Sequence, residues 1–266
     1  MSCTGRARKI SYIYKEKNMS DCILITGASG GVAQALAARL RIRGYRLALV
    51  GRDAARIAAE ADDIVIVADV STAQGAEDAV AEATRALDQP PTALAHCVGS
   101  TLIAPIARTS ETAWRNLMAA NLDSAFFTLK AWLGALAESK QPGAAVLFSS
   151  VVAGTGTPNH AAIAAAKAGV EALVRSLAAD VSGQRIRLNA IAPGLLRTPM
   201  TTRLVGNERS AQQAGAQYPL GRFGEADEAA ALAEFLLSDQ AGWITGQTLK
   251  LDGGFSAVRP MVRLPS

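Results

Sequence analysis

The stretch ITGASGGVA, Ile25 to Ala33, joins a short apolar run, CILIT, to a segment of helical spacing, GVAQALAARLRIRG. Gly27 and Gly31 allow a tight turn with close backbone approach, and a helix opening after them presents unpaired N–H groups to a phosphate. Alone, a glycine after a strand is more often a plain structural turn. Its context argues for more. YRLALVG precedes RDAARIAAEA, DIVIVADV precedes AEDAVAEATRAL, and TALAHCVG precedes a long helical stretch. That alternation predicts a βαβ series and so a parallel sheet covered on both faces. In the first helix Val32, Leu36 and Leu40 recur every four residues, and Gly44 marks its stop.

Further along, TAWRNLMAANLDSAFFTLKAWLGALA reads as one long helix, AAVLFSS as a fifth strand and HAAIAAAKAGVEALVRSLAADV as another helix. IRLNAIAPG and QTLKLDGG read as the last two strands. No composition break or repeat separates Asp21 from Phe255. The expected fold is therefore α/β, a Rossmann-type doubly wound parallel sheet in three α/β/α layers, forming a single domain over residues 21–257. Residues 1–20 read as a basic extension, disordered or preceding the true start, and residues 258–266 as a C-terminal tail. Thr201 to Glu225 is polar and contains glycine, and it lies where a substrate lid belongs. Tyr218 within it is expected to approach the site only if that lid closes.

The chain has 266 residues, half of them apolar, enough for a full core. Arg6, Arg8, Lys9, Lys15 and Lys17 against Glu16 account for the whole net charge of +4. The basicity therefore belongs to the tail, and with no Lys/Arg stripe interleaved with aromatics no nucleic-acid partner is expected. Neither a secretory leader nor a membrane-spanning run is visible, so a cytoplasmic location without a membrane partner is expected. Met19, just before SDCILITG, raises the expectation that translation begins there, with a transit peptide as the alternative reading. Cys3, Cys22 and Cys97 show no CxxC or His/Cys spacing, so neither disulfides nor a metal site is expected.

A dinucleotide site that prefers NAD usually carries an acidic residue at the end of the second strand, for the ribose hydroxyls. Here that strand ends LALVGRD, with Gly51 at the acidic position and Arg52 next to it. Gly51 leaves room, and Arg52 can pair with a 2′-phosphate, with Ser29 as a second donor. Asp53 beside it tempers the case, and a surface arginine is the bland alternative. The expected cofactor is NADP, with NAD less favoured.

At this point the residues resemble the short-chain dehydrogenase/reductase family over nearly all of Asp21 to Phe255. The resemblance rests on TGASGGVA, ADV at Ala68 to Val70, Asn121 in AANLDSAF, FSSVVAG from Phe148, Lys167 in AAAKAGV, NAIAPGLLRTPM and WITGQTLKLDGGF. It implies that Thr26, Gly27, Ser29 and Gly31 hold a pyrophosphate, that Asp69 and Val70 flank the adenine, and that Gly99 adjoins a ribose. Pro193, Gly194, Leu196 and Thr198 would embrace the nicotinamide. It also implies a small-molecule substrate, a 3-oxoacyl thioester among the candidates, and a homodimer or homotetramer, with Trp243, Ile244 and Phe255 supplying apolar surface. Ala33 stands for the usual third glycine, and HCVG at His96 to Gly99 for the usual Asn-Asn-Ala-Gly.

Asn121, Ser150 and Lys167 match three of the family's four catalytic residues, but the position of the fourth, a tyrosine four residues before the lysine, is Ile163. Isoleucine cannot give or take a proton, and general acid catalysis is worth on the order of a hundred- to ten-thousand-fold. His160 lies seven residues before Lys167, roughly two helical turns away on nearly the same face, and an imidazole exchanges protons near neutral pH. Enoyl-(acyl carrier protein) reductases place their tyrosine at that distance, and PNHAAIAAAKAGVEA resembles their segment with His160 in the tyrosine's place. Ser150 and the glycine turn resemble the carbonyl-reducing branch instead. Three readings follow: a carbonyl reductase, a C=C reductase using His160 as acid, and a nucleotide-binding homologue with little redox activity. For His160 itself, a solvent-facing residue at a helix start weighs about equally. His96 reads as a strand-end residue holding backbone near the adenosine, and Cys97 as packing.

Overall fold

A computed structural model describes residues 22–259. The expectations for residues 1–20, Met19 and Cys3 included, lie outside it. Strands β1 (Cys22–Thr26), β2 (Arg46–Gly51), β3 (Ile64–Val67), β4 (Ala93–His96), β5 (Gly143–Phe148) and β6 (Ile186–Pro193) join a late strand, Thr248–Leu251, in one seven-stranded sheet. Every pairing in it is parallel. The order runs β3-β2-β1-β4-β5-β6 and then the late strand, so the chain reverses direction across the sheet between β1 and β4. In such sheets the crevice at that reversal, outside the C-terminal strand ends, is where ligands bind.

Both faces are covered, as the unbroken apolar runs require. On one side α1 (Gly31–Ile42) places Ala33, Leu36, Ala37 and Leu40 against Ile23, Ile25, Leu47 and Leu49. On the other, α2 (Ala73–Leu87) packs beside the long element that follows β4, and Trp132 is fully buried with its indole N–H donating to Pro91 O at 2.7 Å. That long element is not one α-helix. It runs as α3 (Glu111–Met118), a π-helical turn over Ala119–Asp123, and α4 (Ser124–Ser139). π-Turns widen a helix locally and recur at functional sites; this one carries Asn121. Helix α5 (Ala161–Asp180) completes this face.

Two local expectations change. Val32 is not on the buried stripe of α1, where Ala33 takes its place, and it lines the crevice instead. Second, RDAARIAAEA forms no α-helix but a single 3₁₀ turn, Ala54–Arg56. Asp53 accepts from Ala55 N at 3.0 Å, Ile57 enters the core, and Asp63 accepts from Glu60 N and the Arg41 guanidinium. Tertiary anchoring thus overrides an alanine-rich propensity. With no helix over this edge, Val65 and Val67 of β3 remain exposed. Thr201 to Glu225 is largely structured. A two-residue ribbon pairs β7 (Leu196–Arg197) with β8 (Gly224–Glu225), and between them lie α6 (Thr202–Val205) and α7 (Glu208–Gly215). Helix α8 (Ala226–Leu237) then packs on α1, clamped by Arg39 and Glu234 at 2.7 Å, and leads to β9 (Thr248–Leu251).

Trp132→Ala removes a fully buried indole and should cost about 3–5 kcal/mol, read as a lowered midpoint in urea unfolding.

Candidate active site

Two adjoining cavities open at the C-terminal ends of the strands. The first, of about 620 Å³, is the crevice around the glycine turn. Gly27 sits at φ +71°, and a Cβ there would lie 2.8 Å from the backbone of Cys97 and Val98, so only glycine fits. A Cβ on Gly31 would meet Pro199 Cδ at 3.0 Å. Helix α1 starts with no side-chain cap and no acidic residue in its first turn, leaving N–H groups for an anion. Ser29, Arg52, Asp69, Val70, Gly99, Pro193, Gly194, Leu196 and Thr198 all line this crevice. Arg56, which sequence reasoning passed over because it expected a helix there, lines it too.

At the end of β2 no acidic side chain is present, and a Cβ on Gly51 would crowd Ile57 Cδ1 at 3.1 Å. Asp69 accepts from the hydroxyl and N–H of Ser71 at 2.7 and 3.0 Å; these bonds, with the Arg52 charge, hold its carboxyl below the usual range. Thr26 does not line the crevice. It is fully buried beneath the turn, with its hydroxyl 2.8 Å from His96 Nδ1. Its expected contact with a pyrophosphate is corrected to support from below. These residues fit a dinucleotide: a backbone cradle that tolerates no Cβ, an uncapped helix start, and two guanidinium groups at the far end.

The second cavity, of about 540 Å³, shares Val32, Gly99, Pro193 and Gly194 with the first. Asn121, Ser150, His160, Ile163 and Lys167 all line it. Lys167 is 8% exposed, and Nζ donates to Phe148 O at 2.8 Å; burial pushes its pKa down to about 8. Asn121 donates to Leu117 O at 2.9 Å and faces Ser100, whose N–H reaches Oδ1 at 3.3 Å. A Cβ on Gly99 would stand 2.9 Å from Asn121 Oδ1 and 3.2 Å from Lys167 Nζ, so glycine there leaves room for both polar groups at the second cavity. Ser150 begins a 3₁₀ turn, accepting from Val152 N at 3.4 Å.

Ile163 is 4% exposed and packs with Leu117, Ala162, Leu102 and Val152, so an apolar cluster fills the tyrosine's position. His160 is not inside the helix. It precedes α5 as its N-cap, after Asn159 at φ +64°, a conformation asparagine tolerates. Asn159 O accepts from Ala104 N at 2.9 Å, which fixes the turn. His160 Nδ1 lies 2.7 Å from Pro158 O. A carbonyl can only accept, so Nδ1 carries the hydrogen and Nε2 is the nitrogen left without that bond.

The segment from α6 to α7 and the turn after it supply Leu204, Ser210, Gln213 and Gln217 to the same cavity. Tyr218 is already docked, its hydroxyl accepting from Leu195 N at 2.7 Å and its ring 5.3 Å from that of Phe255. Burial pushes the Cys97 thiol up to about 12, so it is no thiolate at neutral pH. Cys22 and Cys97 are both free, and no metal-holding cluster occurs among the described residues. No described helix is long and apolar enough to cross a membrane.

Against known proteins, the family profile described as Enoyl-(Acyl carrier protein) reductase matches residues 27–256. A 2-(S)-hydroxypropyl-CoM dehydrogenase 3 of Xanthobacter autotrophicus is 34% identical over 251 residues, covering 90% of this chain and 98% of the relative. A protein of the same organism named inactive 2-(S)-hydroxypropyl-CoM dehydrogenase 2 is 37% identical over 231 residues, 83% of this chain and 100% of its own. The solved structure of levodione reductase superposes with a TM-score of 0.84 at 30% identity, covering 91% of this chain and 100% of that one.

His96 is 3% exposed, and burial lowers its pKa from 6.5 to about 3. Between those values the unfolded chain takes up a proton that the folded chain refuses, so stability falls as pH drops through that window. Urea unfolding at stepped pH should show this loss in the wild type and a shallower one in His96→Asn.

Proposed function

The chain belongs to the short-chain dehydrogenase/reductase family, and from that premise we propose an NADP(H)-dependent oxidoreductase that works on a carbonyl/alcohol pair in a small molecule, using His160 where relatives use tyrosine. The observation that carries this reading is that Ser150, Asn121, Lys167 and His160 line one cavity, whose wall is shared with the nucleotide crevice. A 3-oxoacyl thioester is the favoured substrate class, supported by the resemblance of the Ser150 segment and glycine turn to the carbonyl-reducing branch.

When bound, the nicotinamide supplies or accepts the hydride. Gly27, Gly31 and the start of α1 would hold its pyrophosphate, and Arg52 with Arg56 a 2′-phosphate, the basis for preferring NADP over NAD. Lys167, with one N–H given to Phe148 O, has further donors for a ribose. The Ser150 hydroxyl would donate to the substrate oxygen. With Nδ1 given to Pro158 O, neutral His160 takes a proton at Nε2 during alcohol oxidation, and the imidazolium returns it during carbonyl reduction.

Two specific observations favour other readings. The matching profile is described as an enoyl reductase, and in C=C reduction one donor at the thioester oxygen suffices. The apolar packing of Ile163 supports a nucleotide-binding homologue with little redox activity. As to assembly, Trp243 is fully exposed, which supports self-association into a dimer or tetramer; light scattering showing a monomer would remove that part of the reading.

Arg52→Ala should weaken NADPH binding more than NADH binding, by on the order of tenfold for a lost charge-assisted bond, read by titration of cofactor fluorescence. NADPH oxidation against β-ketoacyl, enoyl and simple ketone substrates tests the rest. His160→Ala should lower kcat by on the order of a hundredfold or more, and Ile163→Tyr should recover part of that loss. Full activity in His160→Ala removes the histidine from the reaction. A rise in melting temperature with NADPH but no turnover of any substrate supports the binding homologue.

A further inference from the structure

Beneath the glycine turn lies a chain of buried polar groups that the reaction itself does not use. Thr26 and Ser124 are fully buried, and His96 nearly so. The Thr26 hydroxyl lies 2.8 Å from His96 Nδ1, His96 Nε2 lies 3.2 Å from Ser124 Oγ, and Ser124 Oγ donates to Ala120 O at 3.0 Å.

The direction of every hydrogen bond in this chain can be fixed. Ala120 O is a carbonyl and only accepts, so the single Ser124 hydroxyl proton is spent there. Ser124 Oγ must therefore accept from His96, which places the ring hydrogen on Nε2. Burial keeps the ring neutral, so Nδ1 has a lone pair and accepts from Thr26 O–H. The donors run one way, from the end of β1 to the π-turn.

The far end explains the purpose. In an α-helix the N–H of Ser124 would bond Ala120 O; here it bonds Ala119 O, five residues back. The Ser124 hydroxyl takes up Ala120 O in its place. That substitution stabilises the π-turn, and the π-turn presents Asn121 to Ser100 and the cavity.

We propose that His96 is a positioning residue, locking the π-turn that displays Asn121 to the strand end that carries the glycine turn, through the Ser124 hydroxyl. It acts through Ser124 and does not touch the reacting atoms. The inference rests on the proposed reaction only for its effect on rate; the arrangement of the π-turn is a property of the chain without cofactor.

The test begins with long-range ¹H–¹⁵N NMR on the cofactor-free protein. His96 should be in the neutral Nε2–H tautomer, and an Nδ1–H tautomer overturns the proposal. Ser124→Ala, a small change, should shift the side-chain amide resonances of Asn121, while Ser124→Thr keeps them in place. It should also lower kcat by on the order of ten- to a hundredfold with the cofactor Kd unchanged, and His96→Asn added to Ser124→Ala should cause little further loss, since both act through one path. Asn121 resonances that do not move in Ser124→Ala, or losses that multiply in the double variant, overturn it. Because the resonances are read without substrate, a failure of the proposed reaction is distinguishable from a failure of this inference.

Discussion

A buried ammonium sets the terms for the rest of the site. Lys167 lies on the first half of α5, out of water, and its hydrogen bond to Phe148 O at the end of β5 ties that helix to the sheet. An isolated charge in such surroundings is costly unless it is paired or hydrogen-bonded, and its lowered pKa is the measure of that cost. A Cβ at position 99 would crowd both Lys167 and Asn121, hence a glycine there, and the π-turn brings Asn121 to the same cavity. Asn121, Ser150 and Lys167 still line one cavity even though Ile163 stands where the family resemblance places a tyrosine.

Ile163 and His160 lie on either side of the start of α5. Ile163 closes an apolar cluster with Leu117, Leu102 and Val152, so the first turn of α5 offers packing where it would otherwise offer a phenol. In the turn just before the helix, Asn159 in a left-handed conformation and its bond from Ala104 N set the approach of His160, the group proposed to exchange the proton. The Pro158 carbonyl then decides which nitrogen is available. On the proposed reading the acid is relocated while the lysine, the serine and the asparagine keep their places.

Much of this was legible in the sequence. The glycine turn and the alternation of apolar runs with helical spacing were read from residue type and spacing, while Ser150, Lys167 and Asn121 were picked out by the resemblance to the family. What was not legible depended on contacts between distant segments. RDAARIAAEA has the composition of a helix, yet Ile57, Asp53 and Asp63 anchor it as a turn, and Arg56 reaches the crevice only because they do. The π-turn leaves no compositional mark, since its cause is a serine hydroxyl and a histidine on another strand. Thr26 looks like a phosphate ligand by position and is a buried prop by geometry. His160 was expected on the face of a helix that in fact starts one residue later.

The most direct test of the central claim is a crystal structure of the protein with NADP and a ketone or alcohol ligand. The account predicts the 2′-phosphate between Arg52 and Arg56, the ligand oxygen against the Ser150 hydroxyl, and His160 Nε2 within hydrogen-bond reach of that oxygen, about 3 Å away or through one water. A complex in which the His160 ring turns to solvent while the ligand oxygen meets only Ser150 would contradict it.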